Sequence, residues 1–154
     1  MQPGSAAGFS KWSGGQTLKT EYHACEHTSV CKPYAYVTAF KPEFKYSPAT
    51  MLMDVTTNFG KYGDKDYIPQ NYDGKEHGVV SMRKALAGSL NIPAVKTVAL
   101  VGVENVTQTA RDLGITSPMS DCGLSLVLGG CEVKLLDHVA AFSVLANGGV
   151  KNEK

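Results

Sequence analysis

Apolar residues recur in this chain with the period of an α-helix, and almost nowhere with the alternation of a β-strand. The first helical stretch begins near Ser29, and its repeating members are Val30, Tyr34, Val37 and Phe40. Pro33 fits only the first turn, where its missing N–H costs nothing. Lys41 precedes a proline, which pushes it out of the α region and ends the helix there.

Four further helices are predicted from similar start and stop signals. They are expected from Ser81 to about Gly88, from near Pro93 to about Val101, from Val103 to Leu113, and from about Lys134 to Ala146. On the last helix the predicted core face consists of Leu135, Val139, Phe142 and Leu145. The segment 123–130 is either a short strand or a loop that crosses the core. The turn-rich segment 41–78 is expected to be a long ordered loop. The chain should therefore be mainly helical, with too few strands to make a sheet of its own.

Composition narrows the possible functions. The chain has 154 residues, the size of one domain, and 43% of them are hydrophobic, as in a globular protein. The formal net charge is +1, and no Lys/Arg-rich run occurs, which argues against nucleic acid as a partner. No apolar stretch approaches the length of a membrane span, and the first residues do not look like a signal peptide.

The N-terminal segment differs in character from the rest. Residues 1–27 are rich in glycine and serine at their start and are expected to be loose, whereas residues 28–154 form the domain. His23, Cys25, His27 and Cys31 are residue types that ligate zinc, so a small zinc-binding module is one alternative. The four cysteines, at positions 25, 31, 122 and 131, are too sparse for a disulfide framework and are expected to be free or buried thiols.

Two short motifs carry candidate chemistry. Ser29 and Lys32 form an S-x-x-K pattern at a helix start, which places a hydroxyl and an amine on one face. Serine needs a base to act as a nucleophile, and a buried lysine can be that base. Ser89 and Asn91 form an S-x-N pattern between two predicted helices, where both side chains can face a cleft. Taken singly, the S-x-x-K pattern also fits a helix-capping serine followed by a solvated lysine. The S-x-N pattern likewise fits ordinary helix-capping residues.

These motifs occur within a longer resemblance that covers about residues 29–150. Lys32-Pro33-Tyr34 resembles the segment that follows the lysine in penicillin-binding protein transpeptidase domains. Further similar segments are 46–50 (YSPAT), 54–59 (DVTTNF), 67–74 (YIPQNYDG), 77–78 (HG), 83–95 (RKALAGSLNIPAV), 110–115 (ARDLGI), and 124–130 (LSLVLGG) through 146–149 (ANGG). The resemblance is strongest to the bifunctional, class A type. It implies the α/β fold of the transpeptidase and β-lactamase-like superfamily, of which this chain would hold mainly the helical part, with the central sheet largely missing.

The resemblance also implies a mechanism. Ser29 would attack the carbonyl between two D-alanines of a peptidoglycan stem peptide, and Lys32 would take its proton. Ser89 would relay a proton to the leaving amine, and Asn91 would hold the substrate amide. β-Lactams would acylate the same serine, and neither a metal nor an organic cofactor is implied. The family works outside the cytoplasmic membrane, to which this chain would be attached only through parts that it lacks.

Three departures from the family pattern stand out. The third family motif, K-T/S-G, is absent, so the chain is expected to have little or no transpeptidase activity; the alternative is a truncated, non-catalytic fragment. His27-Thr28 replaces the Pro-Gly that usually precedes the serine, whereas Gln2-Pro3-Gly4-Ser5 occurs near the start, which makes Ser5 a rival nucleophile. The glycosyltransferase half and the membrane anchor of class A enzymes are also absent from the sequence.

Overall fold

The structure is a computed structural model that describes residues 29–151. The predicted loose segment 1–27 lies outside the described residues, so the domain boundary near residue 28 stays a prediction. The described chain contains five α-helices, which are α1 (Lys32–Ala39), α2 (Met82–Ala87), α3 (Asn91–Val101), α4 (Val103–Leu113) and α5 (Leu135–Ala146). All five predicted helices are present, and α4 has the predicted bounds, with Gly114 after it in the left-handed conformation. None of these helices is long and apolar enough to cross a membrane.

Helix α1 is the centre of the core. It follows directly from a 3₁₀ turn (Ser29–Cys31), and Pro33 lies in its first turn as predicted. It packs against α2, α3 and α4, and most of its residues are buried, including Tyr34, Ala35 and Tyr36. The buried Thr38 hydroxyl lies 2.9 Å from that of Thr109 on α4, so this polar side chain of α1 has a partner inside the core.

The segment 41–78 contains more regular structure than the predicted loop. Strand β1 (Met51–Asp54) pairs antiparallel with β4 (Gly78–Ser81), so that Leu52 lies opposite Val80. Strands β2 (Lys61–Tyr62) and β3 (Lys65–Asp66) form a short hairpin between them. The sequence obscured β1 because its partner lies about 25 residues further along the chain. Residues 29–151 therefore hold two two-stranded sheets and no larger sheet, in agreement with the expected partial α/β fold.

The predicted core face of α5 is wrong at three of its four positions, and only Leu145 packs against the core. Leu135, Val139 and Phe142 are exposed, whereas Asp137, Ala141 and Val144 are buried. A carboxylate oxygen of Asp137 accepts hydrogen bonds from the backbone N–H and the hydroxyl of Thr116, at 2.7 and 2.5 Å. This buried polar contact turns the Asp137 side of the helix inward, against the direction that apolar periodicity favours.

The segment 123–130 is neither strand nor irregular loop. Most of it belongs to a 3₁₀ helix (Ser120–Leu128) that is broken at Gly123, which has a φ of 53°. Cys122 and Cys131 form a disulfide bond across this helix, which contradicts the expectation that the four cysteines are unpaired thiols. The chain reverses at Gly129, in the left-handed conformation, and this reversal brings the two Cα atoms to 5.6 Å from each other.

The disulfide provides a test of the fold. Replacing both Cys122 and Cys131 by serine should lower the free energy of unfolding by roughly 2–3 kcal/mol, the value expected for closing a loop of this length. Denaturant unfolding under oxidising conditions measures the change. Dithiothreitol should bring the wild-type protein down to the level of the variant. Equal stability of the two proteins without reductant would contradict the disulfide between Cys122 and Cys131.

Candidate active site

The amine of Lys32 is the buried centre of the candidate site. Lys32 begins α1, and its side chain reaches into the core with only 1% of the residue exposed. The backbone of Ser29 begins the 3₁₀ turn that leads into α1, three residues ahead of Lys32. The predicted S-x-x-K pair is therefore located at the start of the central helix.

The junction between α2 and α3 supplies partners for this amine. Lys32 Nζ donates to the backbone carbonyl of Ser89 at 2.5 Å and lies 3.0 Å from the Ser89 hydroxyl. It also donates to Oδ1 of Asn91 at 2.6 Å. Three of the four predicted site residues thus meet at one atom, although Ser89 and Asn91 follow Lys32 by 57 and 59 positions.

Ser89 has a backbone conformation that is rare for its residue type. Its φ is +51°, in the left-handed region, which costs a non-glycine residue about 1–3 kcal/mol. This conformation turns both the carbonyl and the hydroxyl of Ser89 toward Lys32. A backbone outlier of this kind at a polar cluster is typical of a functional site.

Burial changes the acid–base behaviour of Lys32. Loss of water around the ammonium lowers its pKa from 10.5 to about 8. At pH 7 the neutral amine would then be about 300 times more abundant than in an ordinary lysine. A neutral amine in contact with a hydroxyl is what a proton acceptor requires.

Two residues of segment 67–74 bind Asn91, one through its side chain and one through its backbone. The Asn91 Nδ2 group donates to the backbone carbonyl of Gln70 at 2.7 Å, which leaves Oδ1 facing Lys32. The backbone N–H of Asn91 donates to the side chain of Asn71. Sequence reasoning identified 67–74 only as a turn and a family segment, and it missed this supporting role.

A carboxylate and a histidine lie behind this segment. Asp54 is fully buried at the end of β1, and its Oδ2 lies 2.5 Å from Nδ1 of His77. The other ring nitrogen of His77 lies 3.2 Å from Asp73. The hydrogen bond to Asp54, followed by the charges of both carboxylates, raises the pKa of His77 above 6.5.

An open pocket adjoins the motif. Its volume is about 380 Å³, and its lining residues are Tyr72, Asp73, His77, Val80, Lys84, Gly88, Ser89 and Leu90. Ser89 thus borders both this pocket and the Lys32 amine. The pocket gives a second molecule room to approach the polar cluster.

Other predicted site residues fall outside the described part of the chain. Ser5, His23, Cys25 and His27 precede residue 29, so the structure does not choose between Ser5 and Ser29 as the nucleophile. Cys31 is described; it is the buried residue that directly precedes α1. Residues 29–151 contain no group of three or more His, Cys, Asp or Glu residues that could hold a metal ion.

Comparison with known proteins assigns the family. No family model matches the chain. It is 37% identical to penicillin-binding protein 1C of Escherichia coli K12 over 124 residues, which are 79% of this chain and 15% of that protein. It is also 37% identical to penicillin-binding protein 1F of Bacillus subtilis 168 over 127 residues, 81% of this chain and 17% of that protein. The chain belongs to the penicillin-binding protein family. It spans less than one fifth of the length of these curated relatives.

Solved penicillin-binding proteins confirm the fold. The structure matches penicillin-binding protein 1A of Haemophilus influenzae with a TM-score of 0.69 and 24% identity, over 77% of this chain and 18% of that one. It matches PonA1 of Mycobacterium tuberculosis, solved with penicillin V, with a TM-score of 0.70 and 18% identity, over 85% of this chain and 37% of that one. The chain therefore has part of the transpeptidase fold, as the sequence motifs predicted.

The lowered pKa of Lys32 predicts a pH dependence of stability. The folded state binds fewer protons at Lys32 than the unfolded state does between pH 8 and 10.5, so stability should rise with pH in that window. Relative to Lys32→Met, the free energy of unfolding of the wild-type protein should increase by roughly 3 kcal/mol across this pH window. Lys84→Met, at an exposed lysine of α2, controls for the loss of one positive charge. If the difference in the free energy of unfolding between wild type and Lys32→Met does not change with pH, Lys32 does not have a buried amine with a lowered pKa.

The pKa values of two histidines should be shifted in opposite directions from the ordinary value of 6.5. His77 should titrate above 6.5 because of Asp54, so its stabilising contribution persists below that pH and is lost as pH rises through the raised pKa. His138 should titrate below 6.5, because it is partly buried on α5, where its Nδ1 lies 2.7 Å from the hydroxyl of Tyr34. NMR titration of the imidazole protons measures both pKa values. A higher pKa for His138 than for His77 would contradict the site geometry.

Proposed function

We propose that this protein acts in peptidoglycan cross-linking as a penicillin-binding D,D-transpeptidase that forms an acyl-enzyme on a serine. The observation that carries the proposal is the contact of the buried Lys32 amine with Ser89 and Asn91. Family membership supports the same chemistry, since the S-x-x-K and S-x-N motifs stand at the positions that the resemblance assigns. The substrate would be the D-Ala-D-Ala end of a stem peptide, handled outside the cytoplasmic membrane.

The first step assigned to this site is acylation. Ser29 would attack the carbonyl carbon of the penultimate D-alanine, and its proton would pass to the neutral Lys32 amine. The C–N bond to the terminal D-alanine would break, and that residue would leave as a free amine. The product is an ester between the serine oxygen and the shortened stem peptide.

Proton delivery to the leaving amine would fall to Ser89. Its hydroxyl lies 3.0 Å from Lys32 Nζ, within the range for direct proton transfer. A proton accepted by Lys32 can thus move to Ser89 and on to the departing nitrogen. In the second step an amine of a neighbouring stem peptide would attack the ester, lose its proton to the same pair, and release the serine.

Asn91 would orient both the base and the substrate. Its amide contacts Lys32 through Oδ1 and the carbonyl of Gln70 through Nδ2. An amide side chain at the edge of such a cluster can donate to a carbonyl or accept from an N–H of a peptide substrate. These are the two groups that flank the bond to be broken.

β-Lactams are the inhibitors that this chemistry implies. Solved relatives include PonA1 in complex with penicillin V and penicillin-binding protein A of M. tuberculosis as an imipenem acyl-enzyme complex. When the ring amide of a β-lactam acylates Ser29, the nitrogen stays attached to the acyl group and does not leave. The ester would therefore persist. The pocket beside Ser89 gives such a compound access to the cluster.

A second candidate function is a non-catalytic fragment that keeps the helical core. It is favoured by the absence of a K-T/S-G sequence from the chain, since the resemblance assigns half of the oxyanion hole to that motif. Loss of one oxyanion donor commonly slows acyl transfer by about 10²–10³-fold. Acylation by the 154-residue chain should therefore be slow.

A fluorescent penicillin distinguishes the two functions. The chain should become labelled slowly, and Ser29→Ala should abolish labelling, whereas Ser143→Ala, at an exposed serine of α5, should label like the wild type. Mass spectrometry of the labelled peptide identifies the acylated residue. Labelling that persists in Ser29→Ala but is lost in Ser5→Ala would transfer the nucleophile to Ser5. No labelling after prolonged incubation would favour the non-catalytic fragment.

A further inference from the structure

Asn71 and Asp54 form a buried polar pair behind the candidate site. Asn71 is 5% exposed and Asp54 is not exposed at all. The Nδ2 group of Asn71 lies 2.9 and 2.8 Å from the two carboxylate oxygens of Asp54, and 2.8 Å from the backbone carbonyl of Lys75. Both hydrogens of the amide therefore have acceptors on the side away from the site.

The oxygen of the same amide faces helix α3. Asn71 Oδ1 accepts hydrogen bonds from the backbone N–H groups of Asn91 at 2.8 Å and of Ile92 at 3.3 Å. The first N–H groups of a helix have no partner within the helix, and Leu90, which precedes α3, cannot cap it with its side chain. Asn71 thus caps α3 from 20 positions earlier in the chain.

The orientation of this amide is fixed by its two neighbours. A carboxylate accepts hydrogen bonds only, and the N–H groups of α3 donate only, so a flipped amide would face repulsion on both sides. Asp54 is in turn held by the backbone N–H and the ring of His77. The pair therefore links the end of β1 to the first residue of α3 through one rigid side chain.

Asn91 is gripped by this segment at two points. Its backbone N–H bonds to Asn71, and its side-chain Nδ2 bonds to the carbonyl of the adjacent Gln70. With both groups fixed, Asn91 Oδ1 is directed at Lys32 Nζ, 2.6 Å away. This contact therefore depends on the placement of the first residue of α3.

We propose that Asn71, oriented by Asp54, is a positioning residue that holds Asn91 against the amine of Lys32. This inference deepens the proposed function, on which its catalytic meaning rests. Asn71 would act on Lys32 through Asn91, whose backbone N–H donates to the Asn71 side chain. Its removal should release one of the acceptors that stabilise the ammonium form of Lys32, without touching the motif residues themselves.

The test measures the pKa of Lys32 by NMR in protein labelled with ¹³C-lysine, with Lys32→Met to assign the signal. Asn71→Ala should lower this pKa by about one pH unit, the shift that corresponds to losing one hydrogen bond to a charged group. Asn58→Ala, at an exposed asparagine that only caps a turn, is the matched control and should leave it unchanged. An unchanged pKa in Asn71→Ala, or a rise toward 10.5 from entry of water, would overturn the proposal.

A double-mutant cycle checks that Asn71 acts through Asn91. In the Asn91→Ala background, the Asn71→Ala substitution should cause no further change in the pKa of Lys32. A shift as large as in the wild-type background would show that Asn71 acts by another route and would overturn the proposal. Penicillin labelling of the wild type, measured in parallel, tests the proposed function separately. Absence of labelling together with the expected pKa changes would reject the transpeptidase activity and leave the positioning role intact.

Hydrogen exchange of the wild-type protein tests the cap without any substitution. The N–H groups of Asn91 and Ile92 should exchange at least tenfold more slowly than those of Glu104 and Asn105, in the first turn of α4, which has no side-chain cap. Exchange as fast as in α4 would mean that Asn71 does not hold the start of α3, and the proposal would fail even if Asn71→Ala cannot be folded.

Discussion

An amine removed from water governs the arrangement of this structure. Burying a charged group is expensive unless it is hydrogen-bonded, and Lys32 is 1% exposed at the start of the most buried helix. Its hydrogen bonds come from a chain reversal between α2 and α3, where Ser89 adopts a left-handed conformation. The lowered pKa of Lys32 results from its burial, and the left-handed Ser89 supplies two of the acceptors that surround its amine.

The requirement for polar partners extends outward from Lys32 in steps. Asn91 contacts the amine, Gln70 and Asn71 hold Asn91, and Asp54 orients Asn71. Lys32, Asn71 and Asp54 are buried and Asn91 is partly buried, so each must find a partner within the protein. This succession explains why the turn-rich part of the chain between β1 and β4 is ordered: it supplies the hydrogen bonds that the start of α3 lacks. A core held only by apolar contacts would not fix the position of one amide so closely.

Local signals predicted the helices well, because helix ends are decided by residues close to them. Pro33 and Gly114 determine the conformation of their own backbone, and Ser81 caps α2 through the N–H of Lys84. Predictions of strands, of a buried helix face and of the state of the cysteines failed where they depended on contacts beyond the local segment. Strand β1 needs β4, the buried face of α5 is selected by the bond from Thr116 to Asp137, and the Cys122–Cys131 disulfide needs the reversal at Gly129. No local pattern encodes such partners.

For the site, the sequence by itself determined which residues are present and which family they belong to. The spacing of Ser29 and Lys32 follows from the helix period, and the segment around Ser89 and Asn91 carries the family resemblance. Only the tertiary structure decided that Ser89 and Asn91 meet the Lys32 amine, that this amine has a pKa of about 8, and that Asn71 caps α3. Burial and long-range hydrogen bonds are properties of the packed chain, because they depend on groups 20 or more positions apart that come together only when the core forms.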